Sequence, residues 1–554
     1  MSADSTPAEV HGGILAVDVA RRYGVETMWT LSGAHVFPLY DAAVKSSQPL
    51  RLVDVRHEQS AVFAAEATAK LTRTPGLAVL TAGPGVTNGV SAVTSAWFNG
   101  SPVLVVGGRA PAFRWGTGSL QELDHPPLLA PVTKYAGTVD ETARIGPAVD
   151  EALRLATMPH RGPVFLDVPM DVLYSRVPVS DTASASPTRL TPDSEAIAEI
   201  AQILSESRHP VLVIGSDVWA DGAEDAARRA ADTLGLPVIT NGMGRGILPA
   251  GHPLLVTRAR SVAFGRADLV IVVGAPLDFR LGYGVFGGRD DAPPAGVVHI
   301  ADSPGQVARH LELRASASGD LTAAFDGVVD AWTTLPRQPS FEEWVAELRV
   351  ASDVALAHDR EVLDSDADPI HPARVYGELL PRLTDDAVVI GDGGDFVSFA
   401  GRFVEPRRPG CWLDPGPYGC LGTGLGYAMA ARVARPQSQV VLLLGDGAAG
   451  FSLMDVDTLV RHQLPVVLIV GNNGMWGLEK HPMQFLYGYD VAADLQPALP
   501  YDAVVRALGG AGETVTVPGD LGPALDRALS AGVPYLVNVI TDPAVAYPRT
   551  TTGV

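Results

Sequence analysis

Nine short apolar runs, most of them closed by glycine, constrain this chain more than any other feature. LAVLTAG (77–83), PVLVVGG (102–108) and PVFLDVP (163–169) are followed by PVLVIGS (210–216) and ADLVIVVGA (267–275). AVVIGDG (387–393), VVLLLGDG (440–447), PVVLIVGNN (465–473) and YLVNVI (535–540) complete the set. Continuous Val, Leu and Ile without polar alternation describe strands buried on both faces, and the longer stretches between them read as helices. Strand and helix in alternation give parallel sheets covered on both sides. At 554 residues the chain exceeds what one hydrophobic core supports. Two stretches rich in Pro, Ser and Thr divide it: YSRVPVSDTASASPTRLTPDS (174–194), and TTLPRQPS (333–340) followed by an acidic helical stretch to about residue 368. The expected class is α/β, with three doubly wound parallel-sheet domains over residues 1–180, 190–335 and 360–554.

An apolar fraction of 47% against 19% charged residues fills several cores and excludes a disordered chain. With 41 basic and 62 acidic side chains, the net charge of −21 offers no long-range attraction for nucleic acid or an anionic membrane. Any anionic ligand must therefore be held by local groups. Cys411 and Cys420 cannot form a disulfide framework for this length, and no Cys/His spacing of the zinc type occurs, which suits a reducing compartment. No run approaches the ~18 apolar residues of a membrane helix, and the start MSADSTPAEVHGG lacks a basic segment followed by an apolar one. A cytoplasmic location is expected, with no membrane or nucleic-acid partner.

The chemistry concentrates at strand ends. Gly445-Asp446-Gly447 closes VVLLL, and Asn472-Asn473 closes the next apolar run after a gap of 24 residues, the length of one strand, helix, strand crossover. Both strand ends then lie side by side at the carboxyl edge of a parallel sheet, where open α/β sheets bind ligands. Asp446 and Asn473 offer hard oxygen atoms suited to Mg²⁺, while Gly447 and Ala448 present backbone amides to an anion. In the first domain, Glu58 within Arg56-His57-Glu58-Gln59-Ser60-Ala61 stands where a strand passes into a helix of small residues. The loop Thr81-Ala82-Gly83-Pro84-Gly85-Val86-Thr87-Asn88 follows the next strand.

Together these residues resemble the thiamine diphosphate (ThDP) enzymes of the acetolactate synthase and pyruvate decarboxylase superfamily. RHEQSA (56–61), TAGPGVTN (81–88), QELD (121–124), PVTK (131–134), GPVFLDVP (162–169), PYGCLGTGLGYAMAA (417–431) and the GDG and NN pair follow the family's order over essentially the whole chain. The resemblance implies a pyrimidine-binding domain, a middle nucleotide-binding-like domain, and a diphosphate- and Mg²⁺-binding domain with a C-terminal lid. It makes Glu58 the partner of the aminopyrimidine N1′, whose tautomer then removes the thiazolium C2 proton. Leu421 is the bulky residue that bends the cofactor, and the Gly419 carbonyl accepts from the 4′-amino group. Pro84, Asn88, Gly394, Asp395, Gly447, Ala448 and Asn473 contact ThDP, and Asp446, Asn473 and the Met475 carbonyl bind Mg²⁺. Because the family builds each site from the first domain of one subunit and the third of another, a homodimer or homotetramer is implied.

The branch is set by weaker signals. No adjacent His-His pair occurs, which removes the pyruvate decarboxylase branch. Gln121 and Lys134 are shared with acetolactate synthase. Asn241-Gly242-Met243-Gly244-Arg245-Gly246-Ile247-Leu248-Pro249 and the segment from Pro406-Arg407-Arg408 to Trp412-Leu413-Asp414-Pro415-Gly416 are similar to 2-hydroxyacyl-CoA lyases. Oxalyl-CoA decarboxylase carries a Tyr-Glu pair where this chain has Leu120-Gln121. The expected activity is therefore ThDP-dependent cleavage or formation of a 2-hydroxyacyl-CoA, giving formyl-CoA and an aldehyde or ketone, with Gln121 in the catalytic pocket. The alternatives are an acetolactate synthase-like carboligase acting on pyruvate and an oxalyl-CoA decarboxylase-like enzyme. Arg402, Arg407 and Arg408 are candidates for the CoA phosphates. Arg161, Arg245, Arg280 and Asp302 fall where the family binds a nucleotide, ADP in the CoA branch and FAD in the synthases, with ordinary ion pairs as the other reading. Trp476, Glu479 and His481 are either substrate-pocket residues or helix packing. The close of the chain, including Tyr547 and Arg549, is either a lid on the acyl pocket or a frayed end.

Overall fold

The computed structural model describes residues 9–46, 48–179, 188–290 and 292–547. All nine apolar runs form strands, distributed over three parallel sheets. The first sheet runs, in spatial order, Arg51–Asp54, Thr27–Thr30, Gly76–Leu80, Val103–Arg109, Val164–Pro169 and Ala136–Thr138. The second runs Val238–Thr240, Pro210–Ile214, Leu269–Val273, Gly296–Ala301 and Ala315–Ser318. The third runs Trp412–Leu413, Val388–Asp392, Val440–Gly445, Val467–Asn472, Tyr535–Ile540 and Ala511–Val515. With strands counted within each sheet, the first and third share the order 2-1-3-4-6-5 and the middle has 2-1-3-4-5. Each sheet thus reverses its winding between its first and third strands, and that switch opens a crevice at the carboxyl ends. The crevices lie after Thr30 and Leu80, after Ile214 and Val273, and after Asp392 and Gly445.

Two helices made mostly of small residues join the outer domains. Glu58–Thr72 and Thr423–Ala434 are buried on nearly every side, as a helix must be when it is apolar all round. They touch backbone to backbone: a Cβ on Gly426 would come within 2.8 Å of the Phe63 Cβ and 2.9 Å of the Ser60 carbonyl oxygen. Several polar groups caught in this contact pair with one another. Lys70 Nζ pairs with Glu66 at 3.1 Å and donates to the Tyr427 hydroxyl at 3.1 Å, while Asn99 donates to Glu66 at 2.8 Å.

The acidic stretch after the second linker is the helix Glu342–Leu363. Its buried Asp359 forms ion pairs with Arg258 of the middle domain and, at 2.6 Å, with Arg402 of the third. No helix among the described residues is long and apolar enough to cross a membrane.

Candidate active site

The third-domain crevice brings Asp446 and Asn473 together. Gly445 and Gly471 are register partners on adjacent strands, so the residues that follow emerge at the same sheet edge. Asp446 is buried; its Oδ1 accepts from Gly447 N–H at 2.9 Å and its Oδ2 from Gly474 N–H at 2.7 Å. Burial pushes its carboxyl up to about 6 despite those donors. The asparagine pair separates into two roles. Asn472 is 1% exposed and donates to the Leu499 carbonyl at 3.0 Å and to Asn538 at 3.1 Å, locking the strand end. Asn473 lines the cavity together with Asp446, Met475, Gly393, Gly394 and Ala448. A carboxylate, an amide oxygen and glycine backbone with little side-chain bulk fit a divalent cation carrying a diphosphate. Trp476 and Glu479 line the same cavity, with the Trp476 ring against Gly447, whereas His481 does not. Every lining residue belongs to the third domain, and Glu58 is not among them.

Two further segments border this crevice. Asp395 begins the helix Asp395–Phe403, and its Oδ1 accepts from Tyr547 N–H at 3.1 Å, while the Tyr547 ring meets Phe399 edge-on. The segment up to Tyr547 is therefore folded back onto the third domain; Arg549 lies outside the described residues. Gly419 is exposed with open space where a Cβ would stand, and Leu421 is half-buried. Both are held through the residues after them: the fully buried Asp392 accepts from Gly422 N–H at 3.1 Å and Gly424 N–H at 2.8 Å.

Burial pushes the Asp392 carboxyl up to about 7. The native state then binds a proton that the unfolded chain, with its carboxyl near 4, has lost, so this residue's contribution to stability falls as pH rises from about 4 to about 7. Thermal unfolding of the cofactor-free protein should show wild type losing stability relative to Asp392→Asn between about pH 4 and pH 7. A pH-independent difference would contradict the assignment.

At the first-domain crevice, Glu58 is the first residue of its helix, and the His57 ring accepts from Gln59 N–H at 3.2 Å to cap it. Glu58 is 7% exposed, and its Oε2 accepts from the Asn88 amide at 2.9 Å. Pro84 and Asn88 bound the short helix Pro84–Asn88. Gln121 closes over the preceding turn: it has φ 61°, and a Cβ on Gly83, itself at φ 59°, would stand 2.9 Å from the Gln121 Cβ. Only glycine tolerates that combination of angle and contact. Behind this wall lies a buried group that the sequence reading passes over, His125, Asp167 and Arg109. The signal was an aspartate inside the apolar run PVFLDVP, since a carboxylate in a buried strand requires partners.

The middle-domain crevice is lined by Lys134, His160, Arg161, Asp217 and Arg280. Arg161 pairs with Asp221 at 2.8 Å and Arg280 with Asp278 at 2.7 Å. Asp302 is not part of the lining; it is 1% exposed and takes His160 Nδ1 at 3.0 Å. Burial pushes Asp217 up to about 7 and Lys134 down to about 8. Arg245 points elsewhere, donating to the Gly401 carbonyl at 2.8 Å and the Val404 carbonyl at 3.0 Å and lying over the Trp412 ring.

Between the middle and third domains runs a larger cleft lined by Arg245, Arg258, Arg260, Arg280 and Arg402, reaching Gly393, Gly394 and Gly419 at one end. Arg407 and Arg408 do not line it: both are exposed, and Arg407 pairs with Asp385 at 3.2 Å, whereas Arg258 and Arg260, which the sequence did not single out, do. Arg260 donates to the Arg280 carbonyl, and no carboxylate among the described residues lies within ion-pair distance of it. Burial and the neighbouring Arg245 and Arg280 push it down to about 10. Its signal in the sequence was a cation in the first turn of a helix, Arg260–Arg266, where the dipole disfavours one.

Comparison with known proteins agrees with this geometry. The N-terminal TPP binding domain of thiamine pyrophosphate enzymes matches residues 10–128, their central domain matches 197–328 and their C-terminal TPP binding domain matches 392–539. A probable acetolactate synthase of Mycobacterium bovis and an acetolactate synthase large subunit of Mycobacterium tuberculosis are each 49% identical over 99% of both chains. A 2-hydroxyacyl-CoA lyase 2 of Caenorhabditis elegans is 35% identical over 91% of this chain and 84% of its own. With three domain matches in the expected order and relatives that span nearly its full length, the chain belongs to the thiamine pyrophosphate enzyme family.

Proposed function

We propose that the protein is a ThDP- and Mg²⁺-dependent carbon–carbon lyase that cleaves a 2-hydroxyacyl-CoA into formyl-CoA and an aldehyde or ketone. The observation that carries this reading is the arginine-lined cleft that ends at Gly393, Gly394 and Gly419. Pyruvate has one carboxylate and needs no such channel, whereas the phosphates of CoA would engage Arg258, Arg260 and Arg402 while the thioester reaches the cofactor. In the reaction the C1–C2 bond breaks, the hydroxyl loses its proton as C2 becomes a carbonyl, and C1 gains a proton as formyl-CoA. Bound ThDP would supply the carbon nucleophile. Asp446, Asn473 and the Met475 carbonyl would hold its Mg²⁺, Glu58 would keep a proton at the aminopyrimidine, and Gln121 would orient the reacting oxygen.

Because Glu58 is absent from the Asp446 cavity of its own chain, a second copy is proposed to supply it. The exposed apolar side chains Phe113, Leu120, Phe485 and Tyr487 suit such an interface. ADP is the proposed occupant of the middle-domain crevice, and mass analysis of molecules released on denaturation would distinguish it from FAD.

Incubation with ThDP, Mg²⁺ and a panel of 2-hydroxyacyl-CoA substrates should release formyl-CoA. Acetolactate from pyruvate without formyl-CoA release would favour the second reading, a synthase, which the two mycobacterial relatives support. Arg260→Met should raise KM for the CoA substrate about 10- to 100-fold, the worth of a charge-assisted hydrogen bond, with kcat little changed. An unchanged KM would remove Arg260 from the substrate path.

A further inference from the structure

We propose that His125 is a positioning residue for the reaction, setting Gly83 and Gln121 in place through a ring tautomer held by Asp167. The proposal deepens the reading of Glu58 and Gln121 as residues of the reacting site and rests on it. His125 and Asp167 are both fully buried. Gly83 N–H donates to His125 Nε2 at 3.0 Å, which requires that nitrogen to be unprotonated. The ring proton is therefore on Nδ1, which donates to Asp167 Oδ2 at 3.0 Å. Arg109 Nη1 donates to the same oxygen at 2.8 Å and to Asp124 at 2.9 Å. Two donors on one oxygen leave Asp167 Oδ1 buried without a partner among the described residues, a costly arrangement for a group that only fills space.

The chain's path gives this group its consequence. His125 lies four residues after Gln121 and bonds the turn against which Gln121 packs, so one imidazole fixes both sides of that contact. At the other end of the loop, the His35 ring reaches Thr81 Oγ1 at 3.2 Å. Burial lowers the affinity of His35 for a proton, which keeps that ring neutral. The Thr81–Gly83 loop is thereby held by a histidine at each end, with His125 also anchoring the segment that carries Gln121. Glu58 is fixed separately, by Asn88. Loosening His125 should displace Gln121 and the turn while leaving the Glu58 contact in place.

Three variants of the holoenzyme test this. His125→Ala should lower turnover, with whichever of a 2-hydroxyacyl-CoA or pyruvate the unaltered enzyme converts, about 100-fold, the penalty of misplacing a pocket residue by about 1 Å. Proton exchange at C2 of bound ThDP should stay within about threefold, a readout that does not depend on the substrate assignment. His125→Gln, whose amide oxygen can take the Gly83 N–H, should recover most of the turnover. Asp167→Asn can donate to Nδ1 and favours the opposite tautomer, so it should reproduce the alanine defect. A crystal structure of H125A should show Gln121 and the Gly83 turn displaced with Glu58 and Asn88 still bonded. Turnover within about threefold of wild type, an undisplaced turn, or no difference between the alanine and glutamine variants would each overturn the proposal.

Discussion

Replacing Glu58 by glutamine should lower the rate of proton exchange at C2 of bound ThDP by about 100- to 10,000-fold, the range spanned by a lost general acid–base group. The ThDP dissociation constant should move by less than about tenfold, because the amide keeps the shape of the side chain and can still meet Asn88. The prediction rests on placement. Glu58 is almost fully buried at the start of a capped helix, and among the described residues its carboxylate takes one neutral donor, Asn88, and no ion-pairing cation. Deuterium exchange followed by NMR of the released cofactor reads the effect directly. Exchange at the wild-type rate would remove Glu58 from its role, whatever the substrate proves to be.

The second large effect is expected at Asp446. Asp446→Ala should weaken ThDP retention about 100-fold or more and abolish its dependence on added Mg²⁺, since it deletes the one carboxylate among the expected metal ligands. Gel filtration in ThDP and Mg²⁺, followed by cofactor analysis, checks this. Asn472→Ala provides the contrast. Its side chain is bonded to Leu499 and Asn538, so the variant should melt earlier by about 1–3 kcal/mol of lost buried hydrogen bonding and still retain the metal. If the two substitutions exchange phenotypes, the division of roles within the asparagine pair is wrong.

The sequence makes the sheet interiors legible and the margins not. Each of the nine apolar runs is an inner strand, where burial on both faces forces unbroken Val, Leu and Ile. The edge strands Arg51–Asp54, Ala136–Thr138, Val238–Thr240, Ala315–Ser318, Trp412–Leu413 and Ala511–Val515 leave no such mark, being short and in most cases partly solvated. Thr27–Thr30 is an inner strand that escapes for another reason: its hydroxyls break the apolar pattern, yet Thr30 satisfies its own by donating to the Val79 carbonyl at 2.6 Å. The site divides in the same way. Asp446, Asn473 and Glu58 stand at strand ends with fixed spacing and are readable. Arg258, Arg260, His125 and Asp392 are placed by contacts made across domains or between segments distant in sequence, which no local spacing encodes.

The double ion pair at Asp359 bears on how a substrate enters. One buried carboxylate is gripped by Arg258 on one wall of the arginine cleft and by Arg402 on the other. Separating the walls would strand that carboxylate and two guanidinium groups where water has little access, at a cost of several kcal/mol. The cleft is thus a slot of fixed width rather than a pair of jaws. A long anionic substrate would thread into it from an end, and its entry rate would be set by charge and diffusion, with no domain closure to wait for.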